Sequence, residues 1–220
     1  MSDAQGLPQG FRGTARLFPL PNLVLFPSVI QPLHIFEPRY RQMTADALAG
    51  DRLIALVLPK PGWEKEYAER PAIHSVACVG RIAGEQRLAD GRFNLLLQGT
   101  RRAQIVDEVA TGKLYRSARV EVLEDVPCAD VGQEADLRGL LREQAPEWFH
   151  GQSELRDQFL ELIAGELALG MLADLIAFAL PLDAEFKQML LEELDVRKRV
   201  DLLLRQLSRP RTFPPDFSAN

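Results

Sequence analysis

The chain has 220 residues, of which 46% are hydrophobic and 26% are charged, and its formal net charge at pH 7 is −5. This length suffices for one large domain or two modest ones, and the hydrophobic content excludes a disordered chain. The acidic balance disfavours nucleic acid as a partner, although residues 1–125 carry 16 basic and 14 acidic side chains. Since no apolar run approaches the roughly 18 residues of a membrane span, we expect no membrane partner.

The N-terminus and the cysteines bear on the compartment. Residues 1–13 lack the basic and apolar pattern of a secretion signal, and we expect them to form a flexible leader. Cys78 and Cys128 are too few for a disulfide framework, so we expect free thiols in a reducing environment. Cys78 stands in an apolar, strand-like run and is expected to be a core residue. Together these features predict a cytoplasmic protein.

The first half carries short apolar segments that are interrupted by prolines. Proline fixes φ and removes a backbone donor, so a strand has to end or bend where Pro19 or Pro27 stands. The large apolar side chains around these prolines are Phe18, Leu20, Val24, Phe26, Ile30 and Phe36. Short, bent, apolar strands are typical of a compact and partly open β-barrel rather than of a flat sheet.

A helix is predicted directly after a strand at residues 31–36. Glu37 suits the N-cap position, and Pro38 suits the first helical position, where its missing N–H costs nothing. The helix is expected to cover residues 39–49 and to stop at Gly50.

The remaining strands of the first half are predicted from apolar runs and from two-residue alternation. Asp90-Gly91 between two such runs signals a hairpin, and Gly99 marks a bulge or a bend. The predicted strands cover residues 53–58, 76–87, 92–98, 102–109 and 115–123. The first of them is apolar throughout, as expected for a strand that is covered on both faces.

Two aromatic pairs are candidate protein-binding residues. Trp63 and Tyr67 stand in a proline-rich loop at residues 59–71, and loops on a rigid scaffold commonly carry recognition. Exposed aromatic residues there would grip an unfolded segment; the alternative is that Trp63 folds back as a lid over the barrel. Trp148 and Phe149 are candidates of the same kind, for which packing in the core is the favoured alternative.

The second half has a different periodicity. Beyond residue 126, apolar residues recur at helical spacing. Pro181 breaks one predicted helix, and Asp183 and Asp195 each suit the N-cap of a following helix. We therefore predict a helical bundle at residues 127–208 and a loose tail at residues 209–220.

Several motifs occur in an order that characterises one family. They include Phe18-Pro-Leu20, Phe26-Pro27, Ile35-Phe-Glu-Pro-Arg-Tyr40, Val79-Gly-Arg-Ile82, a run from Asp90 to Gly99, and Arg101-Arg-Ala-Gln-Ile105. The motif positions are Phe18, Pro19, Leu20, Phe26, Pro27, Phe36, Glu37, Arg39, Tyr40, Gly80, Gly99 and Arg101. Over roughly residues 14–208 the chain resembles the amino-terminal domain of the Lon protease.

The resemblance implies an α+β fold, in which a PUA-like β pseudobarrel at residues 14–126 precedes the helical bundle. In Lon this domain recognises substrate proteins, so the resemblance implies a stand-alone, non-catalytic protein-binding module without a cofactor. The sequence has no Gly-x-x-x-x-Gly-Lys-Ser/Thr loop, and its length leads us to expect no proteolytic domain. The implied partners are unfolded or hydrophobic polypeptide segments and, for an adaptor, a separate protease or chaperone. The oligomeric state is left open.

The polar residues show no pattern of catalysis or metal binding. His34, His74 and His150 lack the spacing of zinc ligands, and we interpret His34 as a partly buried strand residue with a satisfied ring nitrogen. No Gly-x-Ser-x-Gly elbow occurs, although a triad set by geometry alone stays an alternative.

Four charged residues are interpreted as structural. A carboxylate before proline at a helix start is usually a cap that also meets the positive end of the helix dipole, so Glu37 and Arg39 are expected to stabilise the fold. Of Arg101 and Arg102, we expect one to pair with Glu37 and the other to face solvent.

Three functions follow from this reading. Binding of unfolded or hydrophobic polypeptide is favoured by the resemblance and by the absence of a catalytic pattern. RNA binding is an alternative because PUA-like barrels elsewhere bind RNA, but the acidic net charge opposes it. The third is small-molecule binding, or an enzymatic role, in the groove of the barrel.

Overall fold

The computed structural model describes residues 13–65, 70–149 and 152–209. Its strands are β1 (Thr14–Pro19), β2 (Ile30–Ile35), β3 (Leu53–Val57), β4 (Val76–Arg87), β5 (Phe93–Val109) and β6 (Arg116–Leu123). Its helices are α1 (Pro38–Leu48), α2 (Val131–Gln144), α3 (Ser153–Ile163), α4 (Leu169–Ala179), α5 (Ala184–Glu192) and α6 (Val196–Leu207). Single 3₁₀ turns cover Trp63–Lys65 and Ala145–Phe149. The predicted α+β class is confirmed.

The strands form one sheet that closes on itself. Its order is β2-β5-β4-β3-β1-β6, and β5 also pairs with β6, which closes a ring of five strands and leaves β2 at the side. β1 pairs parallel with β3, and the other pairs are antiparallel. A closed ring with one strand added beside it is the predicted pseudobarrel.

The long strand β5 replaces two predicted strands. The expectation of separate strands at residues 92–98 and 102–109 is wrong because the chain passes Gly99 without leaving the sheet. The pairing of β4 with β5 shifts by one residue there, so Thr100 is the extra residue of a bulge. A Cβ on Gly99 would lie 2.0 Å from the carbonyl oxygen of Phe26. Because Gly99 has no Cβ, the segment before β2 that contains Phe26 can pass close to the backbone of β5.

Helix α1 follows β2 directly, as predicted. Pro38 stands in its first turn, and the Glu37 carbonyl accepts from the backbone N–H of Tyr40 at 3.0 Å. The Glu37 side chain makes no cap hydrogen bond, and its carboxylate pairs instead with Arg39, with an N–O distance of 2.9 Å. Glu37 thus occupies the N-cap position, whereas its charge serves the ion pair.

Two apolar clusters fill the described part of the molecule, and β3 stands between them. Leu53, Ala55 and Val57 belong to the cluster inside the barrel, while Ile54 and Leu56 belong to a larger one that extends to the helices. β3 is therefore buried on both faces, as predicted. Because each buried Leu, Ile or Val contributes roughly 1.5–3 kcal/mol, the larger cluster joins barrel and helices firmly.

Four charged residues also connect the two halves, and we call them the junction cluster: Arg102 of β5, Asp125 after β6, Asp174 of α4 and Arg199 of α6. The Asp174 carboxylate accepts from Arg102 at 2.6 Å and from Arg199 at 2.9 Å. Arg199 also donates to Asp125 at 2.6 Å. Burial raises the pKa of the Asp174 carboxyl, and the guanidiniums of Arg102 and Arg199, which donate to it, oppose this rise.

The expectation that Arg101 or Arg102 faces solvent is wrong. Arg102 is only 3% exposed, and Arg101 is partly buried, so neither side chain simply faces solvent. Arg102 also donates to the backbone carbonyl of Leu191 at 2.9 Å. The Arg102 guanidinium can be buried because the helical half supplies two acceptors for it, the Asp174 carboxylate and the Leu191 carbonyl.

The helical half begins and ends its elements largely where predicted. Asp183 accepts from the backbone N–H of Glu185 at 2.9 Å, and Asp195 accepts from that of Lys198 at 3.2 Å, which confirms both N-caps. The domain boundary at residue 126 stays a prediction. The predicted leader and tail lie outside the described residues, apart from residues 13 and 209.

Candidate functional site

The sheet made by β2, the first half of β5 and the second half of β4 has one buried and one exposed side. Ile35, Leu95 and Leu97 point to the buried side. Pro32 and Leu96, which are partners across the β2–β5 ladder, point outward. This arrangement follows from the two-residue period of a strand.

Three large apolar side chains are exposed on the outer side. Ile30 is 52%, Leu96 45% and Phe36 60% exposed. The Phe36 ring stacks beside His34, with centroids 6.2 Å apart and planes inclined by 24°. Single exposed apolar residues need no explanation, whereas several on one side of a sheet make that side a candidate interaction site. We call this group the apolar face; it consists of Ile30, Pro32, Phe36, Gly84 and Leu96.

A shallow groove of about 640 Å³ lies at Pro32, Gly84 and Leu96 of the apolar face. It is lined by Pro32, Leu33, His34, Gly84, Glu85, Gln86, Asn94, Leu95 and Leu96. A Cβ on Gly84 would already touch Leu96, at 3.4 Å from its Cδ1 atom. Glycine at this position therefore leaves one side of Leu96 open to the groove.

The polar side chains at the groove bind one another. His34 Nδ1 lies 2.7 Å from Asn94 Oδ1, and Asn94 donates through Nδ2 to Gln86 at 3.1 Å. The predicted satisfied ring nitrogen of His34 is confirmed, but its predicted partial burial is wrong, because the outer side of β2 is uncovered. Since these polar groups bind each other, the apolar surface beside them is what a ligand would meet.

Two carboxylates near the groove are paired with arginines. The side-chain hydrogen bond from Arg52 lowers the pKa of Glu85. The backbone N–H of Arg92, assisted by its guanidinium, lowers the pKa of Asp90. Both carboxylates are therefore ionised and compensated at neutral pH, and neither presents an uncompensated negative charge to the groove.

The free edge of β2 is poorly suited to pairing with a further strand. β2 stands at the end of the sheet order, where its only strand partner in the described chain is β5. Pro32 offers no backbone donor, and the Gln31 side chain donates to the Pro32 carbonyl at 2.6 Å. The edge is thus blunted, and the outer side of the sheet is the more accessible surface.

Three aromatic candidates from the sequence, Trp63, Trp148 and Phe149, do not belong to the apolar face. Trp63 is partly buried in a 3₁₀ turn, and Tyr67 lies outside the described residues. Trp148 and Phe149 stand in the second 3₁₀ turn, partly buried against the larger apolar cluster, and Phe149 contacts the ring of Phe159 at 4.8 Å. Their roles in binding stay predictions.

Several of the motif positions build the barrel wall. The rings of Phe18 and Tyr40 are 4.4 Å apart, and the Tyr40 hydroxyl donates to the Pro19 carbonyl at 3.4 Å. The Arg39 guanidinium lies 4.6 Å from the centroid of the Tyr40 ring. Phe26 is fully buried, and Leu20, Pro27, Gly80, Gly99 and Arg101 are buried or partly so. Phe36 differs from these because it points into solvent.

Sequence reasoning missed Ile30, Pro32 and Leu96 as a surface. The sequence does contain a signal for Leu96. Phe93, Leu95 and Leu97 mark the buried side of the strand, so Leu96 falls on the opposite side, together with the polar Asn94. A leucine on the polar side of a strand is a candidate contact residue.

Metal and membrane features complete the description of the site. Within residues 13–65, 70–149 and 152–209, no group of three or more His, Cys, Asp or Glu side chains could hold a metal ion. His74 lies between Glu185 and Glu192, at 3.2 and 3.3 Å. In the same part of the chain, no helix has the length and apolar character to cross a bilayer.

The fold and the site can be compared with known proteins. The profile of the ATP-dependent protease La (LON) substrate-binding domain matches residues 14–209. The chain belongs to this family. The resemblance to the amino-terminal domain of Lon is thereby confirmed, and it extends over both the barrel and the helices.

Curated relatives of this LON substrate-binding domain are Lon proteases. Lon protease 2 of Herpetosiphon aurantiacus is 33% identical over 192 residues, which are 87% of this chain and 23% of the relative. Lon protease 2 of Myxococcus xanthus is 30% identical over 196 residues, 89% of this chain and 23% of the relative. The chain thus spans about a quarter of the length of these relatives.

Solved structures share the fold of this LON domain. The Lon N-terminal domain protein from Xanthomonas campestris aligns with a TM-score of 0.63 and 23% identity, covering 87% of this chain and 97% of that one. The N-terminal domain of the Mycobacterium avium complex Lon protease aligns with a TM-score of 0.68 and 19% identity, covering 89% and 98%. At these identities the likeness establishes the fold alone.

Proposed function

We propose that the chain is a non-catalytic protein-binding module that holds unfolded or hydrophobic polypeptide segments on the apolar face. The observation that carries the proposal is the exposure of Ile30, Phe36 and Leu96 on one side of a sheet whose other side is buried. Membership of the LON substrate-binding domain family supports a protein as the ligand. The cytoplasm as its compartment and a role as an adaptor for a separate protease or chaperone belong to the same proposal.

The size of the apolar face sets the strength of binding. Burying a large apolar side chain completely contributes about 1.5–3 kcal/mol. Because Ile30, Leu96 and Phe36 are each about half exposed, a ligand that covers all three gains roughly 3–4 kcal/mol. Ordering a flexible segment opposes part of this gain. We therefore expect a short apolar segment to bind with a dissociation constant of about 1 mM or weaker, and a client that also fills the groove to bind more tightly.

The mode of binding follows from the blunted edge. Pro32 and the Gln31 side chain disfavour the addition of a client strand beside β2. Contacts of client side chains with Phe36 and Leu96 do not depend on a particular backbone conformation. Selection by apolar content rather than by sequence is the expected result.

A light-scattering assay with a denatured model protein tests the proposal. The chain at about 1 mM, close to the dissociation constant expected for a short segment, should slow aggregation of the denatured protein, and the double variant Phe36→Ser/Leu96→Ser should lose most of this effect. The matched control is Val131→Ser/Leu155→Ser, which removes two apolar side chains that are 82% and 49% exposed in the helical half.

Equal protection by both double variants would refute the apolar face as the site, and no protection by the natural chain would refute the function. Trp63→Ala, Trp148→Ala and Phe149→Ala, measured in the same assay, test the aromatic candidates from the sequence. RNA binding stays an alternative: salt-sensitive retardation of RNA in a shift assay would favour it over protein binding.

A further inference from the structure

A second cavity shares no lining residue with the apolar face. It encloses about 270 Å³ between α1, the loop from β5 to β6 and the segment at Arg70 and Pro71. Its apolar lining includes Pro19, Tyr40, Leu114 and Tyr115. Tyr40 and Tyr115 are nearly buried, so their rings form fixed walls.

The charged side chains that line this cavity, as far as the structure describes them, are all cationic. Four cationic side chains line it, and none of the described lining residues is acidic; the cations are Arg39, Arg70, Lys113 and Arg116. In a chain with 31 acidic and 26 basic residues, a cavity lined by one sign of charge is not expected from composition. We call it the cationic pocket.

The carboxylates that balance these cations stand behind the lining. Glu108 pairs with both Arg70 and Arg116, and Asp46 pairs with Lys113 at 2.9 Å. Together with the pair between Arg39 and Glu37, three carboxylates thus serve four cations. Among the described residues the cations thus exceed the carboxylates that pair with them by one, and the walls of the pocket concentrate the field of its positive side chains.

Two of the cations can turn toward a ligand. The side chains of Arg70 and Lys113 are 66% and 43% exposed, whereas that of Arg116 is 13% exposed and is held by Glu108 and by the Pro71 carbonyl. Arg116 and the tyrosines therefore form a preorganised wall, and Arg70 and Lys113 form an adjustable entrance. A guanidinium and an ammonium placed together suit an oxyanion.

We infer that the cationic pocket binds a small organic anion, in which a carboxylate or phosphate group is joined to an apolar or aromatic body. The oxyanion lies between Arg70 and Lys113, and the apolar body contacts Tyr40, Pro19 and Leu114. The pocket is separate in residues from the apolar face, so this ligand is not the polypeptide client of the proposed function.

The test uses benzoate and phenyl phosphate as anionic probes, with benzyl alcohol and benzylamine as their neutral and cationic counterparts. The full chain labelled with ¹⁵N is titrated with each probe, and amide shifts are followed by NMR. We expect an anion to bind with a dissociation constant of about 1 mM or tighter and to shift amides at residues 110–116. Preference for phenyl phosphate assigns a phosphate ligand, and preference for benzoate assigns a carboxylate.

Charge variants separate the pocket from a general effect of ions. Arg70→Gln/Lys113→Gln should weaken anion binding roughly tenfold, since charge-assisted hydrogen bonds are lost. Arg197→Gln/Lys198→Gln on α6 removes the same charge from side chains that are 56% and 67% exposed, and should leave binding unchanged. The inference is overturned if neither anion binds, if the uncharged probe binds equally well, or if both double variants weaken binding alike. Aggregation suppression should persist in either double variant.

Discussion

Replacement of Asp174 by alanine is expected to lower the free energy of unfolding by about 4 kcal/mol, within the range for breaking a buried ion pair. Asp174 is 2% exposed and accepts hydrogen bonds from Arg102 at 2.6 Å and from Arg199 at 2.9 Å. Without this carboxylate, two buried guanidiniums would share the single charge of Asp125. The junction cluster would then hold an uncompensated positive charge.

The magnitude can be derived from the contacts. Two hydrogen bonds between charged groups contribute roughly 1.5–3 kcal/mol each, which gives about 3–6 kcal/mol for the loss of Asp174. Because a domain is stable by only about 5–15 kcal/mol, this single change removes a large part of the total. Asp174→Asn keeps an acceptor of the same shape, so it should cost less than Asp174→Ala.

A second variant separates lost contacts from stranded charge. Arg102→Leu/Asp174→Leu removes one cation and one anion together and leaves the pair of Arg199 with Asp125, at 2.6 Å. Since replacing a buried pair by apolar residues is often neutral, this double variant should be more stable than Asp174→Ala. The carbonyl of Leu191 loses a donor in the double variant, at a cost of about 1 kcal/mol.

Urea denaturation followed by circular dichroism measures these differences, with the slope of the transition as a check on two-state behaviour. A loss below about 1 kcal/mol for Asp174→Ala, the level of an exposed pair, would refute the reasoning. A double variant that is no more stable than Asp174→Ala would refute the role of stranded charge.

Three further predictions follow from individual contacts. Gly99→Ala places a Cβ 2.0 Å from the Phe26 carbonyl oxygen and should lower the free energy of unfolding by about 3 kcal/mol. Gly139→Ala in α2 meets open space, so in the same urea titration it should raise the free energy of unfolding by about 0.5–1 kcal/mol. Burial raises the pKa of Cys78 to about 12, so one thiol, Cys128, should react with a thiol reagent at pH 8 in the native protein and the second only after unfolding. The Arg116 hydrogen bond lowers the pKa of Glu108, and the Lys113 hydrogen bond lowers that of Asp46. The stabilisation that these two ionised carboxylates provide is therefore complete above pH about 4.5 and is lost as the pH falls through their folded-state pKa values. Glu108→Gln should accordingly flatten the acid limb of a stability–pH curve. An unchanged acid limb would contradict the assignment.

Local chemistry made much of the fold predictable. Asp183 and Asp195 precede apolar helical patterns and do cap α5 and α6, because N-capping depends on neighbours in sequence. The Asp90-Gly91 turn joins β4 and β5, and Gly91 has a φ of +80°, which glycine adopts readily. These features need no knowledge of the rest of the chain.

The junction cluster and the apolar face were not predictable in this way. Arg102 pairs with Asp174 across 72 residues of sequence, and Arg199 pairs with Asp125 across 74; periodicity contains no information on such pairings. Phe36 reads as one of the large apolar residues of the barrel, but its exposure depends on β2 lying outside the closed ring. Sequence patterns indicate which residues are apolar, and only the closure of the barrel decides which of them stay uncovered.

The location of a bound polypeptide tests the central claim most directly. A photoreactive p-benzoylphenylalanine in place of Leu96 is mixed with an unfolded apolar polypeptide and irradiated, and a second sample carries the same group in place of Val131, which is 82% exposed in the helical half. We predict strong cross-linking from position 96 that an excess of unlabelled polypeptide suppresses, and little from position 131. Equal yields from the two positions, or a yield at position 96 that competitor leaves unchanged, would contradict a polypeptide-binding site on the apolar face.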